Sequence, residues 1–326
     1  MNPLSSIDCD KLVSQPDIET LLAAVVGGTP DPIAGIFGPG SVSWRINRES
    51  ALFLGAGRAA LLQIAHPWVA AAIAEHSTVL DRPIARFHNT FRIVFTMVFG
   101  SVDQALAAAR HLYSLHTYIH GELPEDVARW PRGSRYQANN VAALRWVFAT
   151  LVESAVLAHD WILAPLTAVE REQYYDECKI LAGLFGLSEA SLPGSWEEFC
   201  AYNRAMHNSD ELGVSDKARV MAHNLLVGAG SRIRPPFWYR ALTMEWLPER
   251  FRNEFDLKFA GAEKKAVQHV KRWLPAIYQR LPFTIRFIGP WREGQARLAG
   301  RRADALTRWN NRFWIGQPLL PFAKCA

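Results

Sequence analysis

Apolar positions along this chain recur mostly at helical spacing, punctuated by Gly, Pro and Ser. The sharpest case lies between Ser101 and Gly121. There Leu106, Ala109, Tyr113, His116 and His120 fall three or four residues apart on one stripe, and Leu112, Leu115 and Ile119 fill the neighbouring one. Ser101 and Gln104 have the spacing of a capping box and Gly121 is a stop, so one helix is predicted over 101–121. His116 and His120 would then sit one turn apart on a buried face. A buried imidazole needs a hydrogen-bond partner or a metal, because unpaired ring nitrogens there cost about 1–3 kcal/mol.

The same reading predicts further helices. Glu49–Gln63 is apolar with Gly55 and Gly57 spaced for close packing, Pro67 opens a helix to about Glu75, and Pro83 opens one that stops at Gly100. A loop with Pro124, Pro131 and Gly133 leads to Asn139–Asn140 and a long helix to Trp161. Later helices are predicted at about 169–185, 195–207, 215–228, 237–246, 248–258 and 262–280, the second with a capping box from Ser195 and Glu198. No sustained period-2 run occurs, so strands should be few. The expected fold is a single all-α domain. A partly ordered lead-in covers 1–32, a helical catalytic domain 33–285 and a basic amphipathic segment 286–326.

Composition narrows the function classes. Hydrophobic residues at 49% and charged ones at 21% give ample core, and twelve Trp with seventeen Phe suit an aromatic interior or a wide apolar pocket. Cys9, Cys178, Cys200 and Cys325 are too scattered for a zinc site or a disulfide framework. Residues 1–15 show no basic-then-apolar leader and no run is long enough for a membrane span, so the expected compartment is the cytoplasm. Between Arg286 and Arg312 seven arginines face only Glu293 and Asp304, with Leu298, Ala305, Trp309 and Phe313 interleaved. Such a segment either lies on an anionic membrane or nucleic-acid backbone, or docks on its own domain by the aromatic side. No nucleic acid is expected as a partner; peripheral membrane contact is kept as an option.

Gly55-x-Gly57 lacks a preceding strand and a third glycine, and G-x-S-x-G, P-loop and H-E-x-x-H motifs are absent. The informative polar residues lie inside apolar helices. Arg86 and Thr90 are i, i+4 partners beside Asn89, able to anchor a carboxylate or orient bound oxygen. Glu153, within an apolar run, must pair with an Arg, bond a ligand-bearing His or face water. His116 and His120 could bind zinc or iron jointly, a carboxylate completing a non-haem set, or one of them could ligate a haem with the other in support.

An ordered series then stands out: Ala65-His66-Pro67-x-Val69-Ala70, His76-Ser77, Arg86-x-x-x-Thr90, Phe99-Gly100, His116-x-x-Ile119-x-Gly121, Tyr136-x-Ala138, Trp146-Val147-x-Ala149-Thr150-Leu151 and Leu247-Pro248-x-x-x-Arg252. Over about residues 45–260 it resembles the family of MpaB-type oxygenases and latex clearing proteins (rubber oxygenases), which are haem-dependent. The resemblance implies a globin-like helical core holding haem b. It implies His116 as the proximal iron ligand, with Arg86 and Thr90 as the polar pair on the other side of the haem. Dioxygen and a small apolar substrate would be the partners, and oxidative cleavage of a C=C bond the reaction class. Two features depart from the rubber oxygenases: Asn89 stands where they carry a lysine, and no secretion signal is visible. These weigh against polyisoprene and leave a smaller isoprenoid, lipid or aromatic substrate open. A non-catalytic haem or lipid carrier and a non-haem iron enzyme using His116 and His120 are the competing readings.

Overall fold

Helix α7 (Val141–Ile162) is the axis around which the rest is arranged. Asn140 caps it, its side-chain oxygen accepting from the Ala143 N–H at 3.1 Å. With a mean hydropathy of 1.6 the helix is long and apolar enough to cross a membrane, yet two thirds of its most apolar window is buried in this protein. Residues on all sides of it are covered, as expected for a central core helix. The computed structural model describes residues 11–76, 83–229 and 234–322, with the side chains of 83–86 outside the description.

Before α7 the chain forms α1 (Gln15–Gly27), α2 (Val42–Asn47), a 3-10 turn at Ser50–Gly55, α3 (Ala56–Ile64), α4 (Pro67–His76), α5 (Pro83–Phe99) and α6 (Val102–Thr117). Within the segment read as a lead-in, α1 buries Ile18 and Leu22. The helix expected over 49–63 is split. Gly55 passes so close to α7 that a Cβ there would lie 2.5 Å from the Ser154 carbonyl, and the tighter 3-10 turn accommodates that approach. After α7 come α8 (Ala168–Leu184), α9 (Trp196–Asn208), α10 (Asp216–Val227), α11 (Phe237–Trp246), α12 (Glu249–Glu254), α13 (Gly261–Arg280), α14 (Phe283–Arg286), α15 (Gly289–Leu298) and α16 (Ala305–Ile315). Among the described residues the architecture is all-α apart from one small hairpin.

That hairpin corrects the prediction for 101–121. The Ser101–Gln104 capping box is present, but α6 ends at Thr117. His120–Glu122 forms β1, antiparallel to β2 (Arg135–Gln137), with Gly121 opposite Tyr136. Ile119 accepts from the Ala138 N–H at 2.9 Å, so the backbone exchanges helical partners for a strand. His120 therefore does not continue the His116 stripe, and it is exposed.

The last elements brace α5 from outside. Arg297 donates to the Phe99 carbonyl at the end of α5 (2.7 Å) and to Ile33 (2.8 Å). Arg92 donates to Ile315 at the end of α16 (3.1 Å), and His88 Nε2 to Phe313 (3.0 Å). These bonds satisfy carbonyls that helix ends leave free. Phe53 stacks on Trp314 at 3.9 Å between ring centres and meets Phe87, Phe91 and Phe95 of α5 edge-on or tilted.

Candidate functional site

A cavity of about 400 Å³ opens among α3, α4, α5, α6, β2, α7 and the end of α8. That volume lies within the range of small-molecule and cofactor sites. Its walls are mainly aliphatic: Ile73, Ile93, Val94, Leu112, Leu144, Val147 and Leu151, closed on one side by Phe185. Each comes from the core-facing stripe of its helix, so the same periodicity that builds the core builds the slot. Leu115, Asn89 and Thr90 line it and are exposed, which places them at its rim.

Polar groups enter this apolar slot at few points. His116 reaches it from the last turn of α6, half-buried. Asn89 and Thr90 reach it from α5. His76, at the end of α4, also lines it, and its Nε2 donates to the His120 carbonyl at 3.1 Å. That is the part His120 plays: it positions His76 through its backbone. Tyr136 donates its hydroxyl to Glu75 Oε2 at 2.5 Å, and burial, reinforced by that bond, holds its pKa above the usual phenol value. Gln63 donates to Thr150 Oγ1 at 3.2 Å, which in turn donates to the Val147 carbonyl at 2.7 Å. Trp68 lines the cavity too, and its indole Nε1 is buried without a hydrogen-bond partner among the described residues.

Thr90 and His116 are thus brought to one cavity. Arg86 lies on α5 one turn before Thr90, and its side chain falls outside the described residues. Sequence reasoning missed Trp68, Gln63 and Phe185. Trp68 follows the His66-Pro67 break directly and carried a usable signal; Phe185 carried none, being brought in only by tertiary packing.

Three other residues find structural partners away from the slot. Glu153 pairs with Arg58 at 2.7 Å, while Arg58 also donates to Ser154 and to the Trp246 carbonyl. His207 Nε2 lies 3.8 Å from Glu153; burial lowers its pKa, against the pull of that carboxylate. His66 is buried beside Trp68 and Trp130, and burial, helped by the nearby Arg129 charge, pushes its pKa down to about 4. Among the described residues no group of three or more His, Cys, Asp and Glu stands close enough to hold a metal ion. With His120 off the helix and outside the cavity lining, the two-histidine, one-carboxylate set has no geometric basis.

The sequence profile of a family described as "ER-bound oxygenase mpaB/B'/Rubber oxygenase, catalytic domain" matches residues 44–307. The chain belongs to that family, one of haem-dependent oxygenases acting on apolar substrates. Comparison with curated proteins and with solved structures gave no match. The family match runs beyond the motif series, through α15 and into α16.

Proposed function

We propose that the slot is the haem pocket and that His116 would hold the haem iron. The observation that carries this is the convergence of aliphatic walls, few polar groups and two imidazoles, His116 from α6 and His76 from α4, on a single cavity, with His76 Nε2 engaged by the His120 carbonyl. The residues fit the group. A porphyrin is flat and apolar over most of its area, as the walls are, and its edge carries acceptor oxygens that the unpartnered Trp68 N–H lacks. A globin-like haem core is the proposed arrangement, supported by His116 on one helix and Thr90 on another at the same cavity. Haem b, when bound, supplies an iron site for dioxygen and the oxidative chemistry of the family.

The chain's own residues do the rest. Ile93, Val94, Leu112 and Leu144 exclude water and give an apolar substrate a place to lie. Thr90 offers a hydroxyl and Asn89 an amide at the rim, polar groups without ionisable charge. Arg86 is assigned a carboxylate, as an anchor for a haem propionate. The substrate class is a small isoprenoid, lipid or aromatic molecule.

The test is haem loading of apoprotein followed by absorbance. His116→Ala should lose the ligated spectrum and most retention, whereas His120→Ala should keep both, because the contact of His120 with His76 is a backbone carbonyl that alanine retains. A His116→Ala protein with the native spectrum would overturn the ligand assignment.

A further inference from the structure

Helix α16 docks through a mixed side, Trp314 stacking on Phe53 beside buried polar residues. Thr307, Asn310, Asn311 and Ile315 are buried. Asn310 accepts from the Gly289 N–H and donates to the Thr284 carbonyl at 3.3 Å; Asn311 donates to Glu293 at 2.6 Å and to Pro318 at 3.1 Å. The outward side carries Leu306, Trp309 and Phe313, spaced three and four apart on one strip, with Trp309 63% exposed. Arg308 and Arg312 share that exposed side. Phe283 (69% exposed) and Ile285 flank Thr284, the residue Asn310 holds, so α14 sets two more large apolar side chains beside α16.

A docked helix ordinarily buries its aromatic side. Here fixed hydrogen bonds to Gly289, Thr284 and Glu293 hold the opposite side down, and the apolar strip is left uncovered. An exposed apolar surface beside cations marks an interaction site, and Trp, Phe and Leu next to Arg is the composition of helices that lie in a lipid interface. Between Arg301 and Arg312 four arginines, Arg301, Arg302, Arg308 and Arg312, are exposed against Asp304 alone. We propose that the face formed by α14 and α16 docks the protein on an anionic lipid bilayer. The charge selects this occupant: a second copy of the chain would bring two strongly basic surfaces together.

Placement relative to the slot follows from α5. His88 donates to the Phe313 carbonyl at 3.0 Å, and the next two residues, Asn89 and Thr90, line the cavity rim. On the haem-pocket reading, a substrate dissolved in the bilayer is thus presented beside that rim. The docking itself does not rest on that reading.

Co-sedimentation of the full chain with phosphatidylcholine vesicles, with and without phosphatidylserine, tests it, and the measurement involves no haem. Native protein should pellet with phosphatidylserine vesicles at low salt, release as salt rises, and stay in solution with phosphatidylcholine alone. Each Arg near an anionic surface strengthens binding about fivefold, so Arg308→Glu with Arg312→Glu should weaken it at least about 25-fold. Trp309→Ser with Phe313→Ser should also abolish pelleting. All four side chains are exposed, and thermal melting equal to native confirms that the variants fold. Equal pelleting of native and both variants, or none by native protein, overturns the proposal. Self-association that Trp309→Ser with Phe313→Ser removes would overturn it in favour of a second copy.

Discussion

Glu49→Ala should cost this protein about 3 kcal/mol of stability. The Glu49 carboxylate is only 3% exposed and accepts from Arg286 at 2.7 and 3.2 Å and from the Tyr278 hydroxyl at 2.8 Å. Alanine removes the acceptor and leaves a guanidinium 16% exposed and a buried phenol with no carboxylate to bind. Breaking a buried ion pair from one side costs roughly 3–5 kcal/mol, and the residual exposure of Arg286 argues for the lower end. Urea unfolding measures it, with the m-value unchanged if only this contact is lost. In a double-mutant cycle, Arg286→Ala added to Glu49→Ala should cost little more than Glu49→Ala alone, giving a coupling of about 2–3 kcal/mol. The site ties residues 278–288 to the turn that packs on α7, and Glu49 also bridges Phe287 through the backbone. A loss below about 1 kcal/mol, or two additive effects, would refute the claim that this pair holds the C-terminal elements to the core.

Three further outcomes are expected. His66 stays neutral in the fold down to about pH 4 but protonates near 6.5 when unfolded, so stability is complete above 6.5 and falls by up to about 3 kcal/mol as pH drops to 4. His66→Gln should flatten that part of the pH–melting curve, and an unchanged slope would assign the acid sensitivity elsewhere. Trp68→Phe should raise the melting temperature of apoprotein, because a buried donor without a partner is removed, while haem binding weakens about threefold to tenfold; a change in only one of the two would separate fold from ligand. Gly121→Ala should destabilise by about 1–3 kcal/mol, since a Cβ there meets the Tyr136 hydroxyl at 2.6 Å and a buried ring cannot yield. Urea midpoints within experimental error of native would disprove that crowding.

What the sequence shows of this fold depends on where its signals are local. Pro83, Gly100, the Ser101–Gln104 box and Asn140 each act within a turn of themselves, and the bounds of α5, the start of α6 and the start of α7 follow from them. The end of α6 was not legible. Ile119 and His120 keep the helical period, and the competing partner, Arg135–Gln137, is supplied by a strand across a loop. The same holds for α16: its periodicity is plain, but which side faces inward is decided by Gly289, Thr284 and Glu293, distant in sequence from Asn310 and Asn311. Of the candidate site, His116 and Thr90 were readable as polar residues on apolar helices, and Glu153 as a residue needing a partner. That the partner is Arg58 could not be read, because the run containing Arg58 showed only close-packing glycines.

The brace on α5 gives the order of synthesis a physical meaning. Helices α3 to α7 leave the ribosome long before Arg297, Trp314 and Ile315, the residues that grip α5 from behind. At about 5–20 residues per second, roughly 10–40 s separate the completion of α5 from that of α16. Throughout this interval Phe87, Phe91 and Phe95 lack their late-arriving cover and the nascent chain presents an aromatic ladder to any chaperone nearby. The wall that carries Asn89 and Thr90 is then at its most pliable. A flat guest that enters the slot early is enclosed as the final helices arrive, whereas one that arrives late meets a wall already clamped.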